Sequence, residues 1–111
     1  MNDAVIEVVH APDKRRYELR DGGKVIGAAH YKRQPGQFVF THTTVNTEYA
    51  GQGLGARLAR FALTDVRGAG LRIVPVCPYI ASYLRRHHEF DDVVDPPPTE
   101  VAPELPDEAT R

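Results

Sequence analysis

The sequence predicts an α+β domain in which four strands form a mostly antiparallel meander, and a crossover helix then leads to a parallel fifth strand and a short second helix. Three observations predict this order. Short runs rich in β-branched and aromatic residues, separated by turn signals, fill residues 4–45. The apolar period changes from strand-like to helical after Leu54. A short apolar run at residues 71–77 then resembles a buried parallel strand.

The strands of the predicted meander follow one another closely. The first three are expected at AVIEVVH, RRYELR and KVIGAAHYKR, with turn residues such as DGG at 21–23 between them. The fourth is FVFTHTTV, residues 38–45. Strict alternation along this strand would place one set of side chains on a common face, namely Phe38, Phe40, His42 and Thr44.

Two helices are predicted in the second half of the chain. From Leu54 the apolar residues recur at helical spacing, and Gly68 and Gly70 end this run. A second, shorter helix is expected from Pro78, because proline is favoured in the first turn of a helix. A strand, a glycine loop, a helix and a further strand in this order form a right-handed crossover unit.

Length and charge limit the organisation of the chain. The 111 residues suffice for one modest core, so one domain is expected over residues 1–94. Residues 1–90 hold thirteen basic and eight acidic residues, whereas residues 91–111 hold one basic and seven acidic residues. Since the second segment is also rich in proline and poor in large apolar residues, residues 95–111 are predicted to form a disordered acidic tail.

Cysteine usage and hydropathy narrow the class of protein. Cys77 is the one cysteine of the chain, which excludes an internal disulfide and every multi-cysteine metal cluster and suits a reducing compartment. No run approaches the length of a membrane span. We therefore expect a cytoplasmic protein without membrane or nucleic-acid partners. No metal site is expected, since the adjacent His87 and His88 point to different sides of a helix.

Three glycines, at positions 51, 53 and 55, precede the first predicted helix. Unpaired amides and a partial positive charge at a helix N-terminus attract anions, and glycine lets the backbone approach a phosphate closely. A P-loop is excluded because Ala56 and Arg57, not Lys and Ser or Thr, follow the last glycine. Gly51, Gly53 and Ala56 match the dinucleotide-binding pattern G-x-G-x-x-G/A. That pattern requires a loop after the first strand and an acidic residue for the ribose about twenty residues later, whereas this loop follows the fourth strand and no such acid is present.

The order of elements and the motifs resemble the GNAT superfamily of acetyl-CoA-dependent N-acetyltransferases. The pyrophosphate loop of that superfamily reads Q/R-x-x-G-x-G/A, and AGQGLG at 50–55 departs from it at Ala50. The segments HTTV, GQGLGARLARFAL and IVPVCPYIASYLRRHHEF further resemble a very short branch of the superfamily, which is marked by H-T-x-V, G-x-G-x-G and P-x-C-x-Y segments. The resemblance spans about residues 14–93.

The resemblance implies a minimal GNAT-like fold whose parallel fifth strand is splayed from the fourth, and Pro75 supports this because it lacks a backbone donor. The parted strands would admit the pantetheine arm of acetyl-CoA, and the loop would hold its pyrophosphate. The residues implied in coenzyme binding are Thr43, Thr44, Val45, Ala50, Gly51, Gln52, Gly53, Leu54, Gly55, Ala56 and Tyr83.

Acetyl transfer to an amine requires a base, a stabilised oxyanion and a proton for the departing thiolate. His42 is the candidate base, or else a core histidine with one satisfied hydrogen bond. Cys77 would either accept the acetyl group or line the thioester pocket and assist proton transfer, and the direct attack usual in the superfamily favours the second role. Its alternative is a small buried hydrophobic residue. Tyr83 lies where many members place an acid, or forms part of the core.

The leading hypothesis is transfer of an acetyl group from acetyl-CoA to a primary amine, on a protein lysine or a small molecule. A second hypothesis is a coenzyme A or acyl-CoA binding module with little turnover, which the short chain and the departure at Ala50 make credible. A third is an interaction protein that uses the fold as a scaffold for the acidic tail.

Overall fold

A single sheet of five strands, in the order β1-β2-β3-β4-β5, organises residues 6–97, the part of the chain that the computed structural model describes. The strands are β1 (Ile6–Ala11), β2 (Arg16–Asp21), β3 (Lys24–Gln34), β4 (Gln37–Val45) and β5 (Arg72–Pro75). β1 to β4 pair antiparallel, and β5 pairs with β4 in parallel. The predicted fold class is thus confirmed.

Two α-helices and three short 3-10 helices complete the described chain. They are α1 (Leu54–Gly68), α2 (Pro78–Arg86) and the 3-10 turns Pro12–Lys14, Thr47–Tyr49 and His88–Val93. Both α-helices begin at the predicted residue. Proline in the first turn of α2 has no amide that would need an intrahelical acceptor, which explains why the helix begins there. Within residues 6–97, neither helix is both long and apolar enough to cross a bilayer.

The hydrophobic core lies on one side of the sheet, which we call the helix face and define by Tyr17, Ala29 and Phe40. These residues are fully buried, and the apolar residues of α1 and α2, such as Leu58 and Ile80, pack in the same cluster. The other side of β1 to β4, the open face, carries polar residues instead, among them Arg16, Glu18, His30 and His42. The two faces therefore present different chemistry to a ligand.

A β-bulge in β4 reverses the alternation that the sequence predicts for this strand. Tyr31 pairs with Phe40 and His30 pairs with His42, so Thr41 is the extra residue. The Thr41 hydroxyl donates to the carbonyl of His30 at 3.3 Å. As a result, His42 does not share a face with Phe40, and that part of the alternation prediction is wrong: His42 is exposed on the open face.

The last described residues close the outer edge of β5. Val94 forms a parallel bridge to Ile73, and the amide of Asp95 donates to the Ile73 carbonyl at 2.8 Å. Gln37 and Arg72 donate to the Asp95 carboxylate, and the hydrogen bond from Gln37, followed by that from Arg72, lowers its pKa. Asp95, which the sequence assigns to the tail, is therefore held against the sheet. The remainder of the predicted tail, from residue 98, lies outside the described residues.

Candidate functional site

The gap between β4 and β5 opens where β5 ends. The last ladder pair joins Phe40 and Pro75, and the amide of Cys77 adds a hydrogen bond of 2.8 Å to the Phe40 carbonyl. β4 continues to Val45, and its residues from Thr41 onward have no partner strand on that side within residues 6–97. The amide of Arg72 donates to the Gly36 carbonyl, whereas the Ile73 carbonyl accepts from Asp95 on the outer edge. Pro75 follows Ile73 by two residues and so directs its nitrogen away from β4, which means that the missing proline amide does not explain where the ladder ends. The parted strands leave backbone groups of β4 free to bind a ligand.

Cys77 lies beside this gap, at the residue that precedes α2. Its side chain is 1% exposed, and its Sγ is 3.4 Å from Oγ1 of Thr43, across the separation between the two strands. Thr43 follows the bulge and points to the helix face. The structure therefore brings together two of the predicted site residues, one that was proposed as catalytic and one that was proposed to bind the coenzyme.

The glycine loop forms a tight turn into α1. Gly51 and Gly53 have φ values of 82° and 72°, which only glycine adopts readily. Nothing lies within 4 Å of a Cβ added to either residue, so the space over the turn is free. The first helical hydrogen bond runs from the Arg57 amide to the Gly53 carbonyl, and the amides from Gly51 to Ala56 have no backbone acceptor within residues 6–97. Such a turn fits a pyrophosphate.

Glycine is required at position 55 by close packing and not by backbone conformation. A Cβ added there would lie 2.8 Å from Oη of Tyr79, at the start of α2. Tyr79 thus reaches across to the N-terminus of α1, where it is partly exposed. Reasoning from the sequence missed Tyr79 as a site residue, although it is the tyrosine of the P-x-C-x-Y segment. Only the packing of α2 against α1 shows where its hydroxyl lies.

A cavity of about 620 Å³ extends from the first turn of α1 to the end of α2, lined by Ala56, Arg57, Arg60, Phe61, Thr64, Asp65, Tyr83 and His87. Tyr83 is largely buried, and its ring stacks on His87 at a centroid distance of 4.1 Å. Burial, and then the charge of Glu89, raises the pKa of Tyr83, so its hydroxyl stays protonated. Its two arginines outnumber its one carboxylate, that of Asp65, so the lining carries a net positive charge that favours anions.

His42 occupies the other side of the sheet from Cys77. Its ring stacks on that of His30 with a centroid distance of 4.2 Å and an interplanar angle of 12°. Burial, then the neighbouring His42 and the charge of Arg16, lower the pKa of His30. Neutral imidazole is therefore the favoured form of His30 near pH 7. The two residues proposed as catalytic do not meet directly, and the gap between β4 and β5 separates them.

The other predicted site residues divide between the gap and the loop. Thr44 lies on the open face beside His42, whereas Val45 packs against the core. Ala50 is exposed, and its amide donates to the Thr47 carbonyl at 3.0 Å, which closes the turn before the glycines. Gln52 is exposed at the turn, and Leu54 is buried as the first residue of α1.

Comparison with known proteins adds independent evidence. A model of the GCN5-related N-acetyltransferase family matches residues 16–93. A GCN5-like protein from Staphylococcus aureus, solved by NMR, has a TM-score of 0.64 at 20% identity, over 85% of this chain and 92% of that one. The crystal structure of a ribosomal-protein-alanine N-acetyltransferase from Brucella melitensis biovar Abortus 2308 has a TM-score of 0.49 at 12% identity, over 81% of this chain and 66% of that one. A comparison with curated proteins finds no match.

The family model covers most of the chain, from the start of β2 to the 3-10 turn after α2. The Staphylococcus aureus structure shares the fold over nearly its whole length. The family generally uses acetyl-CoA, which agrees with a glycine turn at a helix N-terminus next to two parted parallel strands. The chain belongs to the GCN5-related N-acetyltransferase family, whose members transfer an acyl group from coenzyme A to an amine.

Proposed function

We propose that this protein transfers the acetyl group of acetyl-CoA to a primary amine by direct attack in a ternary complex. The observation that carries the proposal is the joint position of three segments. Cys77 contacts Thr43 of the H-T-x-V segment, and Tyr79, two residues later, lies against Gly55 of the glycine turn. One P-x-C-x-Y segment thus connects the parted strands with the anion-binding turn. We infer that these segments mark a short branch of the family.

The turn and the gap suit different parts of acetyl-CoA. The free amides from Leu54 to Ala56 and the open space over Gly51 and Gly53 suit the pyrophosphate. The unpaired edge of β4 suits the amide groups of the pantetheine arm. The cavity that begins at Ala56 and carries Arg60 and Tyr83 suits the nucleotide part, because it combines positive charge with aromatic surface.

The reaction divides between the two faces of the sheet. When bound, acetyl-CoA supplies an activated carbonyl carbon. The neutral amine approaches from the open face, its nitrogen forms a bond to that carbon, and the carbon–sulfur bond breaks. We assign to His42 the proton that the amine loses, and to the thiol of Cys77 the proton that the departing thiolate gains. Because Cys77 is buried against Thr43, we propose that it lines the thioester pocket and does not carry the acetyl group.

Two substitutions test this assignment, with coenzyme A binding measured by calorimetry as a separate readout. His42→Ala and Cys77→Ala are expected to leave coenzyme binding unchanged and to lower acetyl transfer to a panel of amines by about 100-fold or more. Mass spectrometry of the protein after turnover is expected to find Cys77 without an acetyl group. Wild-type rates in both variants would contradict the roles, and an acetylated Cys77 that transfers its group to the amine would contradict direct attack.

A further inference from the structure

Glu18 is a carboxylate with no exposed surface, and it lies on the open face, which neither helix covers within residues 6–97. It accepts hydrogen bonds from Nε of Arg16 at 2.6 Å, and from Nε and Nη2 of Arg20 at 2.9 and 2.7 Å. Burial alone would raise its pKa, but the hydrogen bonds and charges of the two arginines outweigh burial, and the pKa lies below its ordinary value. One fixed carboxylate therefore holds two guanidinium groups in place.

Arg16 keeps free donors in this arrangement. It uses only Nε toward Glu18, and its two terminal nitrogens have no acceptor within residues 6–97. Its side chain is 26% exposed. A guanidinium that is already oriented loses less rotamer entropy when it binds, and its planar fork matches the two oxygens of a carboxylate. Arg16 is thus prepared to bind an anion on the open face.

The position of Arg16 relates it to the candidate base. Arg16 is the cross-strand partner of His30 on β2 and β3, and His30 is the partner of His42 on β3 and β4. The three residues form one row across the open face. Because neighbouring strands lie about 4.8 Å apart, the ends of the row are on the order of 10 Å apart at their Cα atoms. One small molecule can span this distance with its amine at His42.

The charges near the row favour one class of acceptor. Glu18 is neutralised by two arginines, and Lys32 adds a positive charge on the same face as His30. The row of Arg16, His30 and His42 contains no carboxylate, and the exposed Glu7 of the same face lies on β1, opposite Arg20. A diamine or a lysine-rich segment would bring positive charge to a positive surface, whereas an acceptor with its own carboxylate would be attracted.

We propose that Arg16, oriented by Glu18, binds the carboxylate of the acceptor, and that the acceptor is an amine carrying a carboxylate in the same molecule. This inference rests on the proposed function, because it takes His42 as the position of the amine. Arg16 is then a substrate-binding residue that sets specificity, and the stacked His30 lies along the path between the two groups.

The test compares acids with their own amides. Glycine, β-alanine, 4-aminobutyrate and 6-aminohexanoate, and the primary amide of each, are added to the protein saturated with coenzyme A, and NMR shifts of the Arg16 side chain are followed. The same compounds are assayed with acetyl-CoA by mass spectrometry. At least one acid is expected to shift the Arg16 signals and to be acetylated with a kcat/KM about tenfold or more above that of its amide. The series also reports the preferred spacing of amine and carboxylate.

Two variants distinguish specific binding by the Arg16 guanidinium from a general effect of positive charge on the open face. Arg16→Gln should abolish the preference for the acid, while Lys32→Gln, which removes an equal charge from the same face, should retain it. Circular dichroism confirms that both variants are folded. Equal use of acids and amides by the wild type, equal losses in the two variants, or no acid that shifts Arg16 would overturn the inference. If acids bind at Arg16 and no amine is acetylated, the proposed function fails and the carboxylate site stands.

Discussion

Replacing Gly53 with alanine tests whether the turn before α1 is built for a ligand. Gly53 has φ 72° and ψ 15°, a left-handed conformation that costs an alanine about 1 to 2 kcal/mol. Alanine also lowers the conformational entropy of the unfolded chain, which stabilises the folded state by about 0.4 to 1 kcal/mol. No neighbour lies within 4 Å of the added Cβ, so no clash contributes. The net loss is about 1 kcal/mol, or roughly 4 to 8 °C in melting temperature.

Gly68→Ala provides a matched control, because the chemical change is the same. Gly68 ends α1, has no positive φ, and likewise has nothing within 4 Å of an added Cβ. Alanine is the better helix former by up to about 1 kcal/mol, so this variant should melt at the same or a higher temperature. Thermal unfolding followed by circular dichroism measures both variants.

Coenzyme A binding gives the functional half of the same prediction. The Cβ at position 53 would project into the free space over the turn, where we place the pyrophosphate. Loss of one charge-assisted hydrogen bond to a phosphate corresponds to a dissociation constant about tenfold higher or more. Calorimetry should find this increase for Gly53→Ala and none for Gly68→Ala. A Gly53→Ala protein that is less stable but binds coenzyme A as tightly as the wild type would refute the phosphate-binding role.

Three further substitutions test the sheet. Gly27→Ala would put a Cβ 2.7 Å from the Thr44 carbonyl oxygen, and since a ladder residue cannot move away, urea unfolding should show a loss of about 1 to 3 kcal/mol. Glu18→Gln should cost about 1 to 2 kcal/mol at pH 7. Because the folded pKa of Glu18 is lowered, that difference should shrink as the pH falls below about 4.3 and disappear below the folded pKa. Burial lowers the pKa of His30, so the wild type should lose stability relative to His30→Phe as the pH falls below about 6.5.

Local patterns were enough to predict much of the fold. Turn residues separate the first strands, helical spacing begins at Leu54, and proline opens α2 at Pro78, so each element is specified within a few residues of chain. The positive φ values of Gly51 and Gly53 are likewise a property of the residue type. For these reasons the glycine turn and the helix that follows it could be predicted from the sequence.

The rest of the candidate site depends on contacts between residues that are distant in the sequence. Nothing in FVFTHTTV indicates that Thr41 is a bulge, because the extra residue arises only when β4 pairs with β3, and this pairing moves His42 to the open face. The approach of Tyr79 to Gly55 requires the packing of α2 against α1. Glu18 is buried between two arginines in the structure, but nothing in the sequence distinguishes it from an exposed strand residue. Register and helix packing place these groups, since both join residues that lie far apart along the chain.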